Sequence, residues 1–488
     1  MNKTTSRLDR LIDKHASAID TLIERFGLPL HVYFLEEMRE NAVRFLKASR
    51  LYPNTIVSFA VKANPCRGAV RAAKRLGLGA DTASEHELRA ALEEGIDPRR
   101  ITCNGNAKSE EYLRMALAAG TYIAVDNQDE IASLERLAAE ADRPGAVLVR
   151  FRGMPLSGLT SADQTTAADW TKFGFHIDEA DEIFGRLRRS SYLRPVGVSA
   201  HIGTQITDPA GYALLLDHLF ALAERAAAAG IPIERLDIGG GFPVAFLEEE
   251  EWGRFKSRLL ARVRREIPLE EGVTWNDLPL GYAHIERGED EERWIGKSYY
   301  TPYPGGAMLE QILRHRFPDG MTTIDRLNAI GSPTLVVEPG RSLLATAGIT
   351  LTRVMGTKEV LGHTIVSLDL GINNHGTNLI SPDIFPAAVL PRREDDRRIE
   401  AFLAGRLCFS GDMISKVKIP LNRSPKRGER FVIYHTGAYS ADHFAGHSCG
   451  FPRPGKVAIR EDGSIEVWRA PDRFEDVFGS PEDRLDLG

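Results

Sequence analysis

Cysteine is scarce. The 488 residues hold only Cys66, Cys103, Cys408 and Cys449, far apart and in no Cys-x-x-Cys pair. That excludes a disulfide-built secreted scaffold and reads as reduced thiols, with no metal site expected. A surplus of one charge is also missing: 62 Lys+Arg against 68 Asp+Glu leaves −6, without the clustered basic face that nucleic acid requires. No run approaches the roughly 18 apolar residues of a membrane helix, and no internal repeat or low-complexity tract appears. Nor is there a targeting signal. Residues 1–27 place Leu8, Leu11, Ile12, Ile19, Leu22, Ile23 and Phe26 at helical spacing with charges between them, an amphipathic helix rather than a signal-peptide core. The expectation is a cytoplasmic globular protein of more than one domain, binding neither nucleic acid nor membrane.

What is present is alternation. Short apolar runs end in a small or polar residue and give way to helical stretches. Candidate strands are Ile56–Val61, Gly79–Asp81, Ile101–Cys103, Tyr122–Val125, Val147–Phe151, Val196–Ala200, Leu236–Ile238 and Leu335–Val337. Helical patterns cover 85–94, 108–119, 127–141 and 211–229. Eight strands with intervening helices predict an α/β fold, a (β/α)8 barrel. An open doubly wound sheet is the rival, weakened by the count of eight and by the lack of Gly-x-Gly-x-x-Gly after the first strand. Beyond Arg341 the pattern turns β-rich, at Ile349–Val354, His363–Asp369, Arg406–Phe409, Arg430–His435 and Lys456–Arg460, predicting a C-terminal all-β domain. The expected layout is 1–36 as a helix and strand joining the β domain, 37–345 as the barrel and 346–488 as the β domain. Residues 245–325, rich in Trp and Tyr amid acidic runs, read as an insertion in the barrel.

In such a barrel, chemistry collects where strands end. Those ends carry Lys62, Asp81, Asn104, Arg150, His201, Gly239–Gly241 and Glu338. Lys62 follows Phe59, Ala60 and Val61, apolar walls that would favour a nucleophilic amine; alone, it is equally a strand-end lysine reaching solvent. The glycine triplet lets backbone N–H groups approach an anion, though tight turns use the same residues. Glu338-Pro-Gly-Arg341 alone could be a structural ion pair. Together, an imine-forming lysine, an anion cradle, an imidazole and a carboxylate match the needs of pyridoxal 5′-phosphate.

At these residues the chain resembles the fold-type III pyridoxal-phosphate decarboxylases, the diaminopimelate, ornithine and arginine decarboxylase group, and within it the diaminopimelate branch. The likeness runs from about Pro29 to Ile459. It rests on Phe59–Asn64, Asp81–Glu87, Gly105–Lys108, Lys172-Phe-Gly174, His201–Gln205, Gly239–Pro243, Glu338–Arg341, Cys408–Asp412 and Gly437-Ala-Tyr439. The resemblance implies an alanine racemase-like barrel and a cofactor held by Lys62 as an internal aldimine. It implies His201 stacked on the ring, Glu338 at the ring nitrogen, and Gly239, Gly240, Gly241, Thr204, Gly340, Arg341 and Tyr439 around the phosphate. Asp81, Glu87 and Arg150 would support them. It also implies a homodimer whose partner subunit supplies Cys408, the Cα proton donor. A carboxylate at the ring nitrogen keeps it protonated and favours the quinonoid route to carbon dioxide loss. The alternatives are a racemase or epimerase using Cys408 and Lys62 as opposed acid and base, and a non-catalytic cofactor-binding protein.

The departures concern substrate. Phe409 stands where the family carries an acid that grips a distal ammonium. Ser381 and Phe385 stand where the diaminopimelate branch carries an arginine and a tyrosine. A site lacking the matching charge should reject a charged distal group, so the expected substrate is an amino acid other than diaminopimelate, lysine, ornithine or arginine. Asp412 could salvage amine binding if the register shifts, and Arg341 and Tyr439 would also face the substrate. Arg293, Lys297, Tyr299 and Tyr300 could supply replacement groups but read equally as surface or packing residues. His443 and His447 could contact substrate or simply be solvated.

Overall fold

A computed structural model of the chain describes residues 3–155, 166–280, 294–376, 382–393, 397–443 and 446–480. The chain divides into two units, one of Met1–Met38, Ala245–Tyr300 and Leu344–Gly488, the other of Arg39–Val244 and Thr301–Leu343. The segment read as one insertion, 245–325, is therefore shared between them, parting at residue 300.

The expected single N-terminal helix is two, α1 (Lys3–Lys14) and α2 (Ala16–Phe26). His15, at φ −109° and ψ 22°, breaks the helical run, and Gly27 ends α2 at φ +73°, a conformation suited to glycine. Leu8, Leu11, Ile12, Ile19 and Leu22 bury against Leu30, Val32 and Phe34 of β1 (Leu30–Phe34), and against Ile349, Val432 and Val457. Five such side chains contribute on the order of 10 kcal/mol of transfer free energy as an upper bound.

The other unit takes up the chain within α3 (Leu35–Ser49). Its strands are β2 (Thr55–Ala60), β3 (Gly79–Thr82), β4 (Ile101–Cys103), β5 (Tyr122–Val125), β6 (Gly145–Arg152), the two-residue β7 (Phe175–His176), β8 (Leu193–Ser199), β9 (Arg235–Asp237) and β10 (Thr334–Val337). Pairing runs β5-β4-β3-β2-β10-β9-β8-β6, and β5 pairs with β6 to close the ring. The neighbouring pairs are parallel, and β7 pairs only with β6. This is a closed eight-stranded parallel barrel.

The helices between β3 and β9, with the one before β3, are α4 (Arg67–Arg75), α5 (Glu85–Glu93), α6 (Glu110–Ala119), α7 (Gln128–Glu140), α8 (Ala180–Arg189) and α9 (Pro209–Ala228), and Gly306–Arg314 and Thr323–Ala329 precede β10. Side-chain oxygens fix where several begin. Ser84 accepts the Glu87 N–H, Ser109 that of Tyr112, Asn127 that of Glu130, and Asp208 that of Ala210 just after Pro209 starts α9. Each cap limits the loop between a strand end and the next helix, and those loops carry the site. Two expected strand ends move. Lys62 lies in the 3-10 turn Val61–Ala63 beyond β2, and Arg150 sits inside β6.

In the first unit, α10 (Glu249–Val263) precedes β11 (Gly348–Val360), β12 (His363–Leu368), β13 (Ala387–Leu390), β14 (Ile399–Ala404), β15 (Met413–Leu421), β16 (Arg430–Tyr434), β17 (Gly455–Ile459) and β18 (Ile465–Arg469). They form one sheet, β15-β14-β12-β11-β1-β17-β18, with β16 joining β11 to β13. The expected strand Arg406–Phe409 is instead a loop between β14 and β15. No helix among the described residues is long and apolar enough to cross a membrane.

Candidate active site

The barrel unit gathers ionisable groups at and near the ends of neighbouring strands. Asp81, fully buried near the end of β3, accepts from Lys62 Nζ at 2.7 Å and from Asn104 Nδ2 at 2.8 Å. The same Asn104 amide donates to Glu338 Oε1 at 2.9 Å, so one carboxamide ties the turn after β2 to the carboxylate after β10. Across from it, His201 Nε2 lies 2.7 Å from Glu338 Oε2. Neither atom has a further partner among the described residues. Two buried polar atoms with spare capacity suit a site shaped for a third group.

The apolar burial expected of Lys62 is not what surrounds it. Its side chain is 42% exposed and its ammonium pairs with Asp81, so the flanking Phe59–Val61 do not seal it from water. Arg150 is buried, its guanidinium 4.2 Å from the centre of the Phe173 ring and 3.9 Å from Asp126. A Cβ at Gly174 would stand 2.8 Å from the Arg150 carbonyl oxygen, which explains why Phe173 is followed by glycine in Lys172-Phe-Gly174. Burial pulls the Arg150 guanidinium down, against the pull of Asp126, Glu338, Asp81 and Asp237. Glu87 accepts the Ala83 N–H at 2.8 Å at the start of α5, and burial pushes its carboxyl up to about 7.

Gly239–Gly241 follow β9 because nothing larger fits. Gly239 has φ +67°, and a Cβ there would stand 2.4 Å from His201 Cδ2; a Cβ at Gly240 would meet the Glu338 carbonyl oxygen at 2.8 Å. Gly241, at φ +90°, would meet the Gly203 carbonyl oxygen at 2.9 Å. The turn is therefore bare backbone pressed between the His201 and Glu338 loops. Tyr212 OH donates to the Gly240 carbonyl, and Gln205 exchanges two hydrogen bonds with Val244, fixing both loops. Thr204 lies half-buried on the His201 loop; Gly340 is buried and Arg341 half-buried after β10.

Two groups escaped the sequence reading. Asp237, fully buried in β9, accepts the Gly239 N–H at 2.8 Å and lies within 4.8 Å of His201 and Glu338. Asp126, also buried, follows β5 and faces Arg150. A carboxylate inside Leu-Asp-Ile, directly before three glycines, was the available signal for Asp237, because a buried acid must find partners. Burial opposes ionisation of Glu338, but the adjacent His201 imidazole and Lys62 outweigh it and hold the carboxyl below the usual carboxylate range. Burial and the nearby Glu338 charge push Asp237 well above the ordinary range.

The remaining expected residues belong to the other unit. Tyr439 is half-buried at φ +64°, its ring 5.7 Å from His443, and Cys408 is exposed. Phe409 is 55% exposed. Asp412 braces its loop: its oxygens accept the Ile372 and Leu407 N–H groups at 2.7 and 2.6 Å. Phe385 is buried edge-on to Phe246 and His375. Lys297, a candidate surface residue, is buried and paired with Asp383 at 2.5 Å. Tyr299 is buried and also donates to Asp383, whereas Tyr300 reaches Glu249. His447 is committed to Asp472 at 2.7 Å. Ser381 and Arg293 lie outside the described residues.

Comparison with known proteins supplies the chemistry these groups suit. Residues 38–271 match the pyridoxal-dependent decarboxylase, pyridoxal binding domain, family. A diaminopimelate decarboxylase of Actinosynnema pretiosum subsp. auranticum is 30% identical over 460 residues, spanning 94% of this chain and 89% of the relative. One of Pseudomonas aeruginosa is 28% identical over 442 residues, 89% of each chain. The crystal structure of a diaminopimelate decarboxylase from M. jannaschii in co-complex with L-lysine superposes with a TM-score of 0.76 at 23% identity, covering 95% of this chain and 94% of the other. The exposed Lys62 amine, the bare glycine turn and the facing Glu338 carboxylate and His201 imidazole fit an aldehyde, a phosphate and a pyridine ring. On near-full-length similarity, the chain belongs to the pyridoxal-dependent decarboxylase family.

Proposed function

We propose that this decarboxylase acts on an amino acid other than diaminopimelate or ornithine. The observation that carries its chemistry is Glu338, a fully buried carboxylate kept charged by His201 and Lys62 and oriented by Asn104. When bound, pyridoxal phosphate supplies the electron sink for the pair left on Cα as carbon dioxide departs. In this reading Glu338 holds a proton on the ring nitrogen and His201 covers the ring. Lys62 would hold the cofactor's aldehyde, with Asp81, 2.7 Å from its Nζ, orienting the amine. The Gly239–Gly241 backbone, Thr204, Gly340 and Arg341 would receive the phosphate. The Cys408 thiol returns the proton to Cα.

Three features support a changed substrate. Phe409 replaces an acid, Phe385 is packed among aromatic side chains, and Asp412 has spent its oxygens on backbone N–H groups. Lys297 already has Asp383. A distal charge on the substrate therefore meets no uncommitted counter-charge from these residues, and an uncompensated buried charge costs several kcal/mol. The exposure of Cys408 supports a homodimer with shared sites, and the four free thiols support a cytoplasmic setting. The test is carbon dioxide release from a panel of L- and D-amino acids. Turnover of neutral amino acids far above diaminopimelate, lysine, ornithine and arginine is expected; the reverse order returns the protein to its relatives' named substrate.

A further inference from the structure

Asp237 ends β9 and Glu338 directly follows the adjacent strand β10, both fully buried, each with one carboxyl oxygen lacking an ordinary donor. Their oxygens and the His201 imidazole lie within 4.8 Å of one another. Two bare carboxylates this close in a dry interior repel strongly; His201 Nε2 stands 2.7 Å from Glu338 Oε2, while Asp237 Oδ2 has no donor among the described residues. A single proton between them removes the repulsion and satisfies both orphaned oxygens. The surroundings decide where it resides. Glu338 faces His201, Lys62 and the Asn104 amide. Asp237 faces Glu338 and Asp81, and the Gly239 N–H is its nearest donor; Arg150 and Arg235 lie within electrostatic reach.

We propose that Asp237 is a positioning residue that stays protonated, donates its O–H to the Glu338 carboxylate, and with its other oxygen holds the Gly239 N–H. One buried acid thus ties the group facing the cofactor ring nitrogen to the first residue of the phosphate turn, setting the distance between the two. Its neutrality is what lets Glu338 keep the negative charge. The inference rests on the cofactor lying against Glu338, but the state of Asp237 itself is readable without cofactor.

The test uses the full-length protein, wild type against D237N and D237A. In cofactor-free protein at neutral pH, infrared difference spectra should show a protonated carboxylic acid band that moves in heavy water and vanishes in D237N. Asparagine keeps a donor and an acceptor, so D237N should hold pyridoxal phosphate within about threefold of wild type. D237A loses both contacts and should weaken it about tenfold or more. Because folding of the wild type must take up the proton, the melting-temperature advantage of D237N over wild type should grow as pH rises above about 4. Absence of the band, or a D237N variant as defective as D237A, overturns the proposal. If D237A does not fold, the band and the pH trend of D237N against wild type decide it alone. A correct band with no cofactor binding by wild type would instead sink the functional reading.

Discussion

At the residue scale, the decisive feature is how two buried acids are made to differ. Glu338 is ionised because cations and a carboxamide face it, and Asp237 is raised because burial and that charge act on it together. Replacing Glu338 by glutamine removes the charge that, in the proposed reading, would keep the ring nitrogen protonated. A change of one to three pKa units there predicts about a 10- to 1,000-fold loss of kcat with cofactor binding retained, checked by steady-state kinetics and visible absorbance. Asn104→Ala leaves two buried carboxyl groups without their shared donor and should cost about 1.5–3 kcal/mol of stability, read by denaturant titration. Lys62, Asp81, His201 and Glu338 were legible in the sequence because each follows or ends an apolar run. Asp237 was not, since flanking Leu236 and Ile238 make it look like strand interior. Nor was the exposure of Lys62, because chain neighbours do not reveal what lies across a barrel mouth.

At the scale of elements, loops held on both sides set the site. Gly239→Ala demands φ +67° of an alanine and drives a Cβ to 2.4 Å from His201. The strain of about 1–3 kcal/mol should appear as weaker pyridoxal phosphate binding with little change in helix content. At the start of α5, the Glu87 carboxyl is raised to about 7 by burial. A raised acid supports the fold fully below its unfolded value near 4.5 and loses that support as pH rises through 7. Glu87→Gln should therefore melt higher than wild type above pH 7, and the gap should close below pH 4.5. A constant gap would mean Glu87 does not titrate there. The barrel strands were legible because each buried run is short and ends at a polar group before a capped helix. Arg406–Phe409 misled because apolar residues in a loop braced by Asp412 mimic strand alternation.

At the scale of the whole molecule, the order of elements was readable, but the membership of residues 245–300 was not. Their aromatic side chains pack at long sequence separation, Trp275 on Phe402 and Phe246 on Phe385, and no local pattern announces such contacts. The proposed shared site makes a prediction that no monomer satisfies. Lys62→Ala and Cys408→Ala homodimers, each deficient alone, should regain about a quarter of wild-type activity when subunits are exchanged; no recovery argues for a site complete in one chain. The account as a whole stands on the Lys62 amine as the point where the coenzyme attaches. Borohydride reduction of protein loaded with pyridoxal phosphate, followed by peptide mass mapping, measures that directly. The phosphopyridoxyl label is expected on Lys62, and a label on another lysine, or none on a folded protein, would contradict the account.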